Sequence, residues 1–144
     1  MIRPYFQSIE NLEDGHSFPL DEVLSHLSFN EQGLIPAIAQ DTDSKQVLMM
    51  AWMNKEALTE TLATGNVTYW SRSRNELWRK GLTSGNTQVL QSMVFDCDGD
   101  TILCQVRQKG GACHTGRSGC FYLEVDGKRE QVSIVDPKSV SGIK

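Results

Sequence analysis

The chain has 144 residues, 39% of them apolar, with a formal net charge of -4 and a sequence pI near 5.3. That suffices for one domain with a real core but not for two, and it excludes a surface built throughout to neutralise a nucleic-acid backbone. No run of about 18 apolar residues offers a membrane span, and residues 1–18 lack the apolar stretch of an export signal, so the expected location is cytoplasmic with no membrane partner.

Residues 1–18 mix charge, Asn, Gly and Pro without a period. With a helix read over 20–27 they make an N-terminal extension, residues 1–30, to which no chemistry is assigned. Leu20, Val23, Leu24 and Leu27 share one face of that helix, and His26 beside them is read as a boundary or surface residue. Residues 33–40 form a first strand, which Pro36 marks as an edge or bulge, and 41–45 a turn. The unbroken apolar run 47–53 predicts a second strand, buried on both faces, its methionines serving as packing. Asn54 caps a helix over 55–63 in which Leu58 and Leu62 pair, and Gly65 follows its C-terminus.

A strand at 67–70 leads into the one basic cluster, Arg72, Arg74, Arg79 and Lys80, interleaved with Trp70 and Trp78. Thr83-Ser84-Gly85-Asn86 follows at once. Backbone N–H groups in such a turn can cradle an anion, so the two features together predict a pocket for a phosphorylated small molecule. Stacking of single-stranded RNA on the tryptophans is the competing use, and the acidic balance of the chain counts against it.

Residues 88–95 and 101–108 are strands, and alternation puts Ile102, Cys104 and Val106 on one face, so Cys104 is expected in the core. Lys109-Gly110-Gly111 breaks the second strand, and a hairpin over 120–125 and 131–135 turns at Asp126-Gly127. The main domain is set at 31–136 and the tail at 137–144. No internal repeat is present. The expected fold class is α+β and strand-rich, a mostly antiparallel, barrel-like sheet with two or three short helices.

Chemistry concentrates in residues 96–120, DCDGDTILCQVRQKGGACHTGRSGC, with three carboxylates, four cysteines and a histidine. Drawn out as a strand, Asp96, Asp98 and Asp100 would point one way and Cys97 the other. Hard oxygens suit magnesium or calcium and soft thiolates suit zinc. The carboxylates also fit an ordinary surface Asp-Gly turn, although like charges crowded at strand ends repel unless a cation neutralises them. Six, eight and six residues separate the cysteines, which is not the paired CxxC spacing of a zinc ribbon. With Cys104 in the core, Cys97, Cys113 and Cys120 remain. Three thiolates with an open position make a catalytic zinc arrangement, and His114 is suited either to move protons there or to close the site as a fourth, structural ligand.

Three motifs, WSRSRNELWRKGLTSGN at 70–86, DCDGD at 96–100 and ACHTGRSGCF at 112–121, resemble the phosphoribosyl-AMP cyclohydrolase family of histidine biosynthesis in the right order over residues 33–123. The resemblance implies hydrolytic opening of the purine six-membered ring by zinc-activated hydroxide. It further implies magnesium at Asp96, Asp98 and Asp100, and zinc at Cys97, Cys113 and Cys120. Cys97 would come from one subunit and the other two from its partner in an interlocked homodimer. His114 would be the proton carrier, with Arg72, Arg74, Lys80 and the Ser84-Gly85-Asn86 turn on the substrate's two phosphates. Leu82, Gly111 and Gly119 depart from the usual Glu, Pro and Ser of the motifs. The H-x-E and P-C-x-x-C signature of zinc nucleobase deaminases is absent.

Overall fold

A computed structural model describes residues 4–139; the end of the expected tail, 140–144, lies outside the described residues. The elements in chain order are α1 (Pro4–Ile9), α2 (Leu20–His26), β1 (Ile35–Asp41), β2 (Val47–Met53), α3 (Lys55–Thr64), β3 (Thr68–Ser71), β4 (Glu76–Arg79), β5 (Gln88–Phe95), β6 (Ile102–Gln108), β7 (Leu123–Asp126) and β8 (Gln131–Ile134), followed by a 3-10 turn at Pro137–Ser139.

The core is built where alternation said it would be. Ile35, Ala37 and Ala39 of β1 and Ile102, Cys104 and Val106 of β6 are all fully buried. The strands run parallel with Ala37 opposite Ile102 and Ala39 opposite Cys104, so small side chains on one strand make room for larger ones on the next. Antiparallel partners flank this pair, giving the order β2-β1-β6-β5. Each buried aliphatic side chain here is worth about 1.5–3 kcal/mol over leaving it exposed.

The α+β, strand-rich class and the preponderance of antiparallel pairs stand, but the sheet is not a barrel. It is open, with β2 and β5 as its edges, and β3-β4 and β7-β8 form separate two-stranded ribbons. A side-chain-filled barrel needs about eight strands in one continuous sheet, whereas here the eight are divided among three. The β2 expectation also needs correcting, since Val47 and Met50 are exposed while Leu48, Met49 and Met53 are buried. An unbroken apolar run fixes that a strand exists without fixing which side is covered.

Asn54 accepts from the Ala57 N–H at 2.8 Å and Gly65 closes α3 in the left-handed conformation at φ 76°, so both helix signals are realised. Buried polar groups are paired across elements. The Tyr69 hydroxyl donates to Gln88 Oε1 at 2.7 Å and Gln88 Nε2 donates to Gln108 Oε1 at 2.8 Å, tying β3, β5 and β6 together. Residues 4–28, read as an extension, pack on this body, and Phe6 and Leu27 belong to the same core cluster as the sheet.

Candidate active site

The loops after β5 and β6 carry the ionisable groups. After Phe95 the chain does not stay extended, as the alternation argument supposed, but turns. Asp96 N–H donates to the Thr101 carbonyl at 3.1 Å, Gly99 N–H to the Asp96 carbonyl at 3.0 Å and Asp100 N–H to Asp96 Oδ1 at 3.0 Å, with Gly99 at φ +67°. The turn still gathers the carboxylates, because one oxygen from each of Asp96, Asp98 and Asp100 lies within 4.8 Å of the others. Their ionisation is split. The hydrogen bond to Asp96 raises the Asp100 carboxyl, and partial burial and the Asp96 charge push the same way. For Asp96, partial burial is outweighed by N–H donation from Asp100, Thr101 and Asp98, which holds it below the usual carboxylate range. Three carboxylate oxygens this close form a ready place for a hard cation.

The second loop is folded tightly on itself. Ala112 N–H donates to the Ser118 carbonyl (3.3 Å), Cys113 N–H to the Arg117 carbonyl (3.2 Å) and Gly116 N–H to the Cys113 carbonyl (2.9 Å), while Cys120 N–H reaches the Leu48 carbonyl on β2 at 2.6 Å. A Cβ at Gly111 would sit 2.7 Å and 2.8 Å from the Arg117 and Gly116 oxygens, and one at Gly119 would press on Gln46 Nε2 at 3.0 Å, so this loop is closed around its glycines. The Arg117 guanidinium lies over the Tyr122 ring at 4.0 Å and braces the far side.

Cys113 and Cys120 lie close enough on this loop to influence each other's ionisation. Burial disfavours the Cys113 thiolate, but hydrogen bonds from Thr115, whose Oγ1 lies 3.1 Å from the sulfur, and from Cys120, with the charge of Arg117, outweigh it and lower the thiol. Although Cys120 is exposed in the single chain, partial desolvation by its surroundings and then the Cys113 charge push it up to about 11, with Lys80 acting the other way. The two sulfurs are thus pushed in opposite directions. Cys104 stays apart in the core, its thiol pushed up to about 12 by burial. His114 stands exposed on the loop.

The basic cluster divides. Arg79 pairs with Glu60 at 3.6 Å, and Lys80 is only 7% exposed, with Nζ 5.6 Å from the Trp78 ring and in the electrostatic field of Cys120 and Cys113. Burial lowers the Lys80 ammonium and the two thiols oppose that shift. Arg72 and Arg74 remain exposed. Arg72 lies 5.1 Å over the Trp52 ring, in a cleft of about 500 Å³ lined also by Trp70 and Trp78, so all three tryptophans of the chain border it. In the 83–86 turn the Gly85 N–H donates to the Gly81 carbonyl at 2.9 Å and the Asn86 N–H to Ser84 Oγ at 3.2 Å, so two N–H groups of the expected anion cradle are engaged within the loop. Asn86 Oδ1 lies where a Cβ on Gly110 would be, so this turn braces the thiol loop.

The fold thus assembles Asp96, Asp98 and Asp100, and separately Cys113 and Cys120. It does not bring Cys97 to the other two thiols within one chain: among the described residues, the aspartates are the only group of three or more acidic, His or Cys side chains gathered within 4.8 Å. Cys97 is exposed on the acidic turn. Sequence reasoning missed Trp52, Thr115 and Phe6. The position of Thr115, two residues past Cys113, was a usable signal, whereas nothing local marks the others. A larger cavity of about 830 Å³ lies between the β1–β2 turn and the thiol loop, with Gln46, Ser118 and Phe121 in its wall.

Fold and site define an α+β domain with an oxygen-donor cluster and a paired-thiol loop following neighbouring strands. Comparison with known proteins narrows this class. Residues 49–122 match the family model described as phosphoribosyl-AMP cyclohydrolase. Proteins of that name from Alcanivorax borkumensis and Hydrogenovibrio crunogenus are each 51% identical, the first over 95% of this chain and 99% of the relative, the second over 94% of each. One from Alkalilimnicola ehrlichii is 53% identical over 94% of this chain and 97% of its own. The chain belongs to the phosphoribosyl-AMP cyclohydrolase family and is an enzyme.

Proposed function

We propose that this chain hydrolyses phosphoribosyl-AMP in histidine biosynthesis, and that it does so as an interlocked homodimer whose thiol site is completed by Cys97 of the second copy. The observation that carries this reading is the split of the thiols: Cys113 and Cys120 lie on one loop and act on each other electrostatically, and Cys97 is exposed on the separate acidic turn. Cys97 of a second copy would supply the third sulfur there. The β7-β8 ribbon supports the same assembly. Leu123, Val125, Val132 and Ile134 are all exposed on it, Val125 by 72%, and an isolated apolar two-stranded ribbon is marginal in water unless something covers it.

The donor sets fit the metals that the family resemblance implies. Cys113, Cys120 and Cys97 of the second subunit would hold zinc as soft thiolate ligands, binding releasing their protons. Asp96, Asp98 and Asp100 would hold magnesium, which removes the carboxylate repulsion. Zinc at such a site supplies a Lewis acid that brings the pKa of water toward neutrality.

The chain's own groups do the rest. The Trp52, Trp70 and Trp78 cleft gives the purine a stacking surface, and Arg72 and Arg74 beside it take phosphate oxygens. Ser84, whose O–H is left as a donor, extends the phosphate contacts across the Gly85-Asn86 turn. Water oxygen bonds to the ring carbon that carries the amino group, and the bond from that carbon to the phosphoribosyl-substituted nitrogen breaks. The carbon becomes a carboxamide and the nitrogen keeps its formamidine link. His114, exposed beside Cys113, takes the water proton and returns it to that leaving nitrogen.

Incubating the protein with phosphoribosyl-AMP and following ultraviolet absorbance tests this. The purine spectrum should give way to that of an imidazole carboxamide, a chelator should stop the change, and zinc with magnesium should restore it. An unchanged spectrum with both metals present would overturn the assignment.

A further inference from the structure

Residues 4–28 carry none of the three motifs, yet they touch the acidic turn at its tightest point. Gly99 needs the left-handed region at φ +67°, and a Cβ there would collide with Cε2 and Cζ of Phe6 and lie 2.9 Å from its Cδ2. The Phe6 ring therefore packs directly against Gly99 and is itself buried. From the other end of the same segment, Ser28 N–H donates to the Gly99 carbonyl at 2.7 Å and Ser28 Oγ to the Asp98 carbonyl at 3.4 Å. A helix of six residues has no stability of its own, so the position of α1 depends on tertiary contacts. The Tyr5 ring stacks on His26 with centroids 4.1 Å apart, and its hydroxyl donates to Glu22 at 2.8 Å, which fixes α1 on α2.

We propose that residues 4–28 form a clamp that holds the Asp96-Asp98-Asp100 turn in its cation-binding shape, with Phe6 as the positioning residue. Three carboxylates held within 4.8 Å repel one another, and a turn free to relax would spread them. Phe6 on one side and Ser28 on the other oppose that relaxation, so the cation meets a site already assembled. The inference rests on the reading of the triplet as a divalent-cation site, and it adds the element that preorganises it.

Manganese(II) is a suitable probe, since the free ion is counted directly by its paramagnetic resonance signal and it prefers oxygen ligands. Zinc-loaded wild type, Phe6→Ala, Phe6→Leu, Tyr5→Phe and Asp98→Asn are titrated in the absence of substrate. Phe6→Ala should weaken manganese binding about tenfold, the usual scale for a group that orients metal ligands, with zinc content unchanged. Phe6→Leu should recover most of that loss, and Tyr5→Phe, which loses the bond to Glu22 but keeps the ring stacked on His26, should weaken binding far less than Phe6→Ala. If Phe6→Ala fails to fold, Phe6→Leu and Phe6→Val take its place, and affinity must fall with each loss of contact to Gly99. Manganese affinity insensitive to Phe6 while Asp98→Asn abolishes binding would overturn the clamp alone. Binding indifferent to Asp98→Asn would remove the cation site and the clamp with it.

Discussion

Burial at the centre of β6 pushes the Cys104 thiol up to about 12, whereas Thr115 and Arg117 help hold Cys113 below the ordinary thiol value. The two sulfurs shift in opposite directions because desolvation acts on Cys104, whereas hydrogen-bond donors and a nearby cation act on Cys113. In the unfolded chain Cys104 ionises near 9.0, and in the fold it stays protonated until about 12. Its neutral burial thus contributes stability fully present below pH 9.0 and lost as pH rises through about 12. Cys104→Ala should lose stability more gently across that window, at the cost of about 1 kcal/mol near neutrality, with zinc content and turnover unchanged. Denaturant titrations on both sides of pH 9.0 measure this. Lys80 gives a second test at the same scale. Its charge favours the Cys120 thiolate, so Lys80→Met should make zinc easier to remove in chelator competition, by about tenfold. Unchanged zinc affinity with a raised KM would return Lys80 to the phosphate contact its place in the motif suggested.

At the scale of elements, the strands that line the core could be read directly from sequence. Period two placed Ile102, Cys104 and Val106 inward on β6, and Asn54 and Gly65 marked both ends of α3. β4 did not stand out, because Glu76-Leu77-Trp78-Arg79 reads as part of a charged cluster, and it is a strand only through its register with β3, Trp70 opposite Leu77. Asp126-Gly127 marked the β7-β8 turn, but alternation says nothing about whether a ribbon finds cover. That ribbon makes its own prediction. Val125→Asp with Ile134→Asp should shift the assembly toward monomer in sedimentation, with the far-ultraviolet spectrum retained. An unchanged dimer would place the contact elsewhere.

Over the whole molecule, the site was legible as far as it is local. All its candidate metal ligands fall within residues 96–120, and the fold gathers the three aspartates, whereas Cys97, which ligand chemistry groups with Cys113 and Cys120, does not join them within one chain. What spacing could not show is what distant segments contribute: Phe6 against Gly99, Trp52 under Arg72, and the burial of Lys80. Those contacts join residues far apart in the chain, and no local pattern encodes them. The barrel expectation failed for the same reason, since closure depends on which distant edges meet.

Subunit complementation tests the shared thiol site most directly. Cys97→Ala and Cys113→Ala should each be inactive alone. Dissociated, mixed and reassembled, they should form mixed dimers in which one of two sites has all three sulfurs, recovering about a quarter of wild-type turnover if pairing is random. Mixed dimers seen by native mass spectrometry but with no activity would contradict a site built across two copies.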